Sequence, residues 1–138
     1  MEIRSHASVK DLPAEGWRRL LRGQQPFVQS DWLLALEQSQ SIHPDTGWLP
    51  LPVGVYEADK LVAAAPAYAK AHSMGEFVYD WSWAAAAEQM RVPYYPKLIV
   101  GSPFSPVTGQ RLLLQDSAYR EPLVSGLLEV AGRLNASG

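Results

Sequence analysis

Cysteine is missing from all 138 residues, which excludes disulfides, a thiolate nucleophile and a Cys-ligated zinc site. Histidine is scarce. His6, His43 and His72 never fall at i, i+4 or in one predicted element, so no metal site is expected. Charge is modest: 12 basic and 14 acidic residues leave a formal net charge of −2, too little positive field for a nucleic-acid backbone, and no DNA partner is expected. No apolar run reaches the ~20 residues that span a bilayer, and the opening Met1, Glu2, Ile3, Arg4 lacks the apolar stretch of a signal peptide. The expectation is a cytoplasmic protein with no membrane span. Neither a P-loop nor a Gly-x-Gly-x-x-Gly turn is present, so the usual backbone cradles for phosphate are excluded.

What the chain does have is the composition of one folded domain over residues 1–138, with 47% hydrophobic and 19% charged residues. A short opening strand at residues 3–6 precedes Asp11, Leu12 and Pro13, which suit a helix start over 13–21 ended by Gly23. Ser30 is read as the cap of a second helix, with Trp32, Leu33 and Leu36 at helical spacing up to residue 39. Residues 48–56 and 61–68 read as a hairpin around the polar turn Glu57, Ala58, Asp59, Lys60; Pro50, Pro52 and Pro66 favour an edge or a bulge. A third helix is predicted over 77–90, a buried-type strand over Lys97–Val100, a proline-rich loop over 102–109, a strand over 110–114 and a last helix over 117–134 opened by Ser117. The order is mixed rather than a regular βαβ alternation, which predicts an α/β domain of the α+β kind and argues against a Rossmann or barrel fold.

Two regions could carry chemistry. The loop with Phe104, Thr108, Gly109 and Arg111 leaves the apolar strand at Val100 with hydroxyls, a glycine open to close approach and a guanidinium able to hold oxygens bidentately. The plainer reading, and the favoured one, is a rigid strand connection with Arg111 paired to a carboxylate. The second region gathers Phe77, Tyr79, Trp81, Trp83, Tyr94 and Tyr95, a ring density that suits a groove wall or a core. Asp80 and Glu76 are the acids there, candidate general bases or, more plainly, capping residues. His72 beside Ser73 is a loop residue with a polar role at the groove, and Lys70 and Lys97 are expected to be solvated or ion-paired.

Three blocks then carry a likeness. They are residues 70–83, from Lys70, His72 and Glu76 to Asp80, Trp81 and Trp83; residues 94–98, opening Tyr94, Tyr95, Pro96; and residues 103–109, from Pro103 and Phe104 to Gly109. Together they resemble the bacterial FemAB-like family of peptidoglycan biosynthesis/recognition proteins, related to GNAT acyltransferases. The resemblance implies a GNAT-like, mixed, mostly antiparallel sheet flanked by helices, which splays at its middle to admit an acyl donor. Lys97–Val100 would be the central splayed strand and residues 102–111 the pyrophosphate loop. It further implies N-acyl or aminoacyl transfer to a small-molecule or peptide acceptor, with no tightly bound cofactor and acyl-CoA or aminoacyl-tRNA as co-substrate. Val100, Phe104, Thr108, Gly109 and Arg111 would hold the donor and Trp81, Trp83, Tyr94 and Tyr95 the acceptor; Asp80, Glu76 and His72 are the catalytic candidates. The sequence departs from the likeness in three ways: no Gln/Arg-x-x-Gly-x-Gly/Ala motif, Ala85 and Ala87 where relatives carry an acid and a tyrosine, and no second module.

A non-catalytic domain that recognises a peptide or cell-wall-like ligand through its aromatic groove is the alternative. A purely structural half-module is the third reading. A count of five strands leaves a sheet edge open, which predicts a homodimer or pairing with a missing C-terminal module.

Overall fold

A computed structural model describes residues 1–23, 25–72, 80–105 and 109–137; Glu76, Phe77, Tyr79 and Thr108 lie outside the described residues. Strands are β1 (Glu2–Ser5), β2 (Trp48–Pro50), β3 (Val53–Glu57), β4 (Lys60–Ala65), β5 (Ala67–Lys70), β6 (Lys97–Val100) and β7 (Leu113–Leu114). Helices are α1 (Ala14–Leu20), α2 (Ser30–Gln38), α3 (Trp81–Gln89) and α4 (Arg120–Ser137). All the pairings between these strands are antiparallel, in two sheets ordered β1-β3-β4-β7 and β2-β5-β6. The α+β expectation therefore holds.

The two sheets share one long hairpin. Val53 faces Ala65 and Pro50 faces Tyr68, with a Leu51 N–H bond to the Ala67 carbonyl between them (2.8 Å), so Pro52 stands opposite Pro66 without a change of register. The turn at Ala58 and Asp59 has φ of 48° and 66°, the doubly left-handed geometry whose twist matches the flanking strands. A bulge at Val55/Tyr56 tightens the hairpin further.

Each proline carbonyl accepts a bond from the neighbouring strand, Pro52 from His6 N (2.9 Å) and Pro66 from Gly101 N (3.0 Å). Neither residue has an N–H to return. These half-made pairs mark the ends of β1 and β6. Beyond Gly101 the third arm leaves the sheet. It rejoins with Leu113 opposite Ala64, a position that an unbroken β6 register would have given to Pro103.

Helices cover both faces. On one side α1 and α2 bury Trp17, Leu20 and Leu33 against Tyr56, Leu61 and Leu113, while Leu36 and Ile42 meet Trp48 and Tyr68. The Trp17 indole N–H is satisfied by the Val28 carbonyl at 2.8 Å. On the other side α4 packs Leu123, Leu127 and Val130 onto Val53, Val55, Ala65 and Ala67. There Gly126 lies so close to β1 that a Cβ would sit 2.5 Å from Ile3 Cγ2.

Several sequence expectations are corrected. Ser30 is the first residue of α2, preceded by Gln29 with no side-chain cap, and Asp116 rather than Ser117 caps the turn before α4 by accepting from Ala118 N. Strand 110–114 shrinks to Leu113–Leu114 because Gln110 spends its groups on side-chain bonds. Lys97–Val100 is a half-buried edge strand, since the arm beyond it leaves at Gly101, and not the centre of a splay. The five-strand premise for a second copy also fails: the described residues carry seven strands, and α4 buries its own apolar face on the sheet.

This packing predicts a contrast within α4. Leu123→Ala, at a fully buried position, should cost about 2–5 kcal/mol in urea denaturation. Leu128→Ala, 68% exposed, should stay within about 0.5 kcal/mol of the parent. Equal losses at both positions would contradict the assigned face.

Candidate functional site

The excursion between β5 and β6 carries α3, which has no buried residue and so draws its position from its ends rather than from a core. Trp81, Ala84, Ala85 and Glu88 on one side of the helix face Val92, Tyr94 and Tyr95 of the returning chain across a groove of about 470 Å³, within the size range of small-molecule sites. Trp81 is 54% exposed. Tyr94 and Tyr95 meet edge to face, with ring centroids 4.9 Å apart.

Asp80 anchors the start of this unit. It occupies the N-cap position of α3 but makes no side-chain cap. Instead its Oδ2 accepts from the Tyr94 phenol and from Lys97 Nζ, each at 2.5 Å. The Asp80 and Lys97 side chains are both 16% exposed, and the Lys97 ammonium stands 5.7 Å from both the Tyr94 and Tyr95 rings. Hydrogen bonding to the Asp80 carboxylate holds the Tyr94 phenol above its usual range, because losing the proton would set two negative charges together. The unit ends where Lys97 enters β6.

Lys97 faces Lys70 across the β5·β6 pair, and Trp48 faces Lys70 on the other side. Lys70 is 0% exposed. Its Nζ donates to the His72 carbonyl (2.9 Å), lies 3.5 Å from His72 Nδ1 and stands 4.7 Å over the Trp48 ring. Of the two expectations for these lysines, solvated or ion-paired, burial excludes the first for Lys70, and Lys97 is ion-paired. Trp48 also meets Tyr68 and Phe104 edge to face, with centroids 5.6 and 5.3 Å apart. The His72 imidazole lies against Gly47, its Nε2 2.4 Å from where a Cβ would stand.

With that geometry in hand, comparison with known families gives one result. A model of the FemAB-like family, described as peptidoglycan biosynthesis/recognition, matches residues 8–138. The chain belongs to the FemAB-like family. No curated protein and no solved structure matches it.

Within this FemAB-like chain the expected acceptor residues divide. Trp81, Tyr94 and Tyr95 line one groove, whereas Trp83 is 73% exposed and outside its lining. Of the catalytic candidates, Asp80 adjoins the groove through Tyr94, His72 sits by Lys70 and Gly47, and Glu76 lies outside the described residues. The expected donor set is dispersed: Val100 packs with the α4 cluster, while Phe104 meets Trp48. Gly109 and Arg111 do stand together. A Cβ on Gly101 would come within 2.9 Å of Arg111 Nε, and one on Gly109 within 2.8 Å of Gln25 Oε1 and 3.3 Å of Arg111 Nη1. The glycines thus admit the guanidinium itself.

Among the described residues no group of three or more acids and histidines could hold a metal ion. None of the described helices is long and apolar enough to cross a membrane. Sequence reasoning missed Glu88 at the groove and a second concavity lined by Arg22, Gln25 and Arg120. Helical spacing from Trp81 through Ala84 and Ala85 to Glu88 would have found the former; nothing local signals a partnership between Arg22 and Arg120.

The Asp80 network makes an electrostatic prediction. In Asp80→Asn the neutral amide cannot hold the phenol's proton as the carboxylate does, so Tyr94 should ionise at lower pH, back toward the usual ~10. An NMR pH titration of its ring, assigned with Tyr94→Phe, measures this. An unchanged midpoint would mean that Asp80 is not the cause.

Proposed function

We propose that this chain is an acyltransferase-type module of the GNAT/FemAB-like class, acting in peptidoglycan metabolism in the cytoplasm. In this reading an amine-bearing small molecule or peptide lies in the groove of Trp81, Tyr94 and Tyr95, and an acyl or aminoacyl group is transferred to its nitrogen. The observation that carries the reading is an open aromatic groove of about 470 Å³ with the Asp80–Tyr94–Lys97 network behind one wall.

The chemistry asks for little from the protein beyond placement and one proton path. The neutral amine attacks the acyl carbon of an acyl-CoA thioester or aminoacyl-tRNA ester, forming the C–N bond and a tetrahedral oxyanion. Collapse breaks the C–S or C–O bond. The amine proton passes to the Tyr94 oxygen as the phenol gives its own to Asp80, and Asp80 then releases that proton through water to the leaving thiolate or alkoxide, which restores the carboxylate. Lys97 keeps the Asp80 carboxylate turned toward Tyr94. On the donor side the point of contact is Gly109 and Arg111, which stand together.

A second reading, recognition without transfer, is favoured by one observation: Tyr94 and Lys97 already engage the Asp80 carboxylate, which leaves a groove of rings and small apolar side chains with Glu88 as the acid in its described lining. Two measurements separate the readings. Thermal shift with a peptidoglycan stem peptide should show stabilisation that Trp81→Ala and Tyr95→Ala abolish; a ligand at ~100 times its Kd adds about 2.7 kcal/mol. Product formation from acyl-CoA or aminoacyl-tRNA with the same peptide should then fall at least tenfold in Asp80→Asn while binding persists. Binding with no product from any donor would leave recognition as the function. Absence of both would end the groove proposal.

A further inference from the structure

We propose that a groove between the end of α1 and the start of α4 binds a phosphate-type oxyanion, clasped by the guanidinium groups of Arg22 and Arg120. The groove has a volume of about 370 Å³, and Gln25, Gln110, Leu112, Leu114 and Ser117 complete its lining. It shares no lining residue with the aromatic groove and does not depend on transfer chemistry.

The first support is charge. Among the described residues, both ionisable side chains in the lining are arginines and no carboxylate lines the space. Neither arginine is in an ion pair with a described residue; Arg22 Nη2 makes a long bond to the Leu114 carbonyl at 3.4 Å, and the described residues offer Arg120 no side-chain partner. Asp116, next to Ser117 in the lining, accepts from Ala118 N through its Oδ1. Glu121 follows Arg120 in the first turn of α4 without lining the groove.

The second support is that Arg22 is held from behind. Its backbone N–H donates to Gln110 Oε1 at 3.1 Å, and its carbonyl accepts from Gln25 Nε2 at 3.4 Å. Gln25 Oε1 in turn accepts from Gln110 N at 3.1 Å, and Gln110 Nε2 reaches the carbonyls of Leu20 (3.2 Å) and Leu112 (3.4 Å). Two glutamines 85 positions apart thus spend their amides fixing the backbone of one exposed arginine. Such a shell lowers the ordering cost of any ligand that Arg22 grips.

The geometry also selects the ligand class. A carboxylate offers two oxygens, which one guanidinium fork can satisfy. Two arginines from elements nearly a hundred residues apart, with the Ser117 hydroxyl beside them, match an anion with more acceptor oxygens, such as phosphate or diphosphate.

Isothermal titration of inorganic pyrophosphate into the full chain tests the assignment, with sodium chloride at matched ionic strength as the blank and acetate as the carboxylate arm. One saturable site is expected, at least tenfold weaker in Arg120→Gln and lost in the Arg22→Gln, Arg120→Gln double variant. Arg18→Gln, whose parent side chain pairs with Glu15 at the surface, should bind like the parent. Arg120 is exposed and makes no side-chain bond to a described residue, so its variant keeps the fold even if Arg22→Gln is unstable. Equal affinity in parent and Arg120→Gln, no saturable binding, or acetate binding as tightly as pyrophosphate would each overturn the proposal.

Discussion

Two prolines that face one another across a hairpin set the plan of this protein. Pro52 and Pro66 leave the pairing between their own strands intact, since their backbone groups point outward toward the flanking strands. There each accepts a bond and returns none. A ladder missing every return bond at one level loses its flanking strands at that level. The opening strand ends beside Pro52 and the third arm departs beside Pro66. Without this break the arm would run on past Gly101 with Pro103 facing Ala64, in place of the return that sets Leu113 there and lets Gln110 reach Gln25 and Arg22.

The same break fixes where polar groups can survive burial. Below Pro66 the sheet carries Trp48, Lys70 and Lys97 in one row, a pattern that would be costly if the cations were bare. Lys70 is relieved by the His72 carbonyl and the Trp48 ring, Lys97 by the Asp80 carboxylate. Those two bonds grip the chain just after β5 and just before α3. The strand pair therefore serves as a clamp for the aromatic unit as well as a wall of the core.

How much was legible in the sequence follows from the range of the forces involved. Both N-terminal helices, the hairpin and the last helix were readable, because capping, periodicity and turn chemistry act over a few residues and leave local marks such as Pro13, Leu33, Leu36 and the Glu57 to Lys60 turn. The groove walls Trp81, Tyr94 and Tyr95 were legible as a dense run of rings. The burial of Lys70 was not, because it depends on Trp48 arriving from a strand 22 residues earlier. The dispersal of Val100 and Phe104 was hidden too: alternation along β6 sends Val100 to the α4 side, while the turn after Gly101 brings Phe104 onto Trp48. The glutamine bridge spans 85 residues and leaves no local mark at either end.

The apolar core and the aromatic groove are consequently carried by different parts of the chain. The helices on both faces of the sheet bury the apolar side chains, whereas α3 buries none and is tied down chiefly by Asp80, Tyr94 and Lys97. Changes at Trp81, Ala84, Ala85 or Glu88 alter the groove without opening a cavity in the core, so their cost to folding is small. Replacing Asp80 or Lys97 is different, because it removes one half of a nearly buried ion pair. A fold arranged this way can change the shape of its groove through the helix face while the charged anchor stays constant.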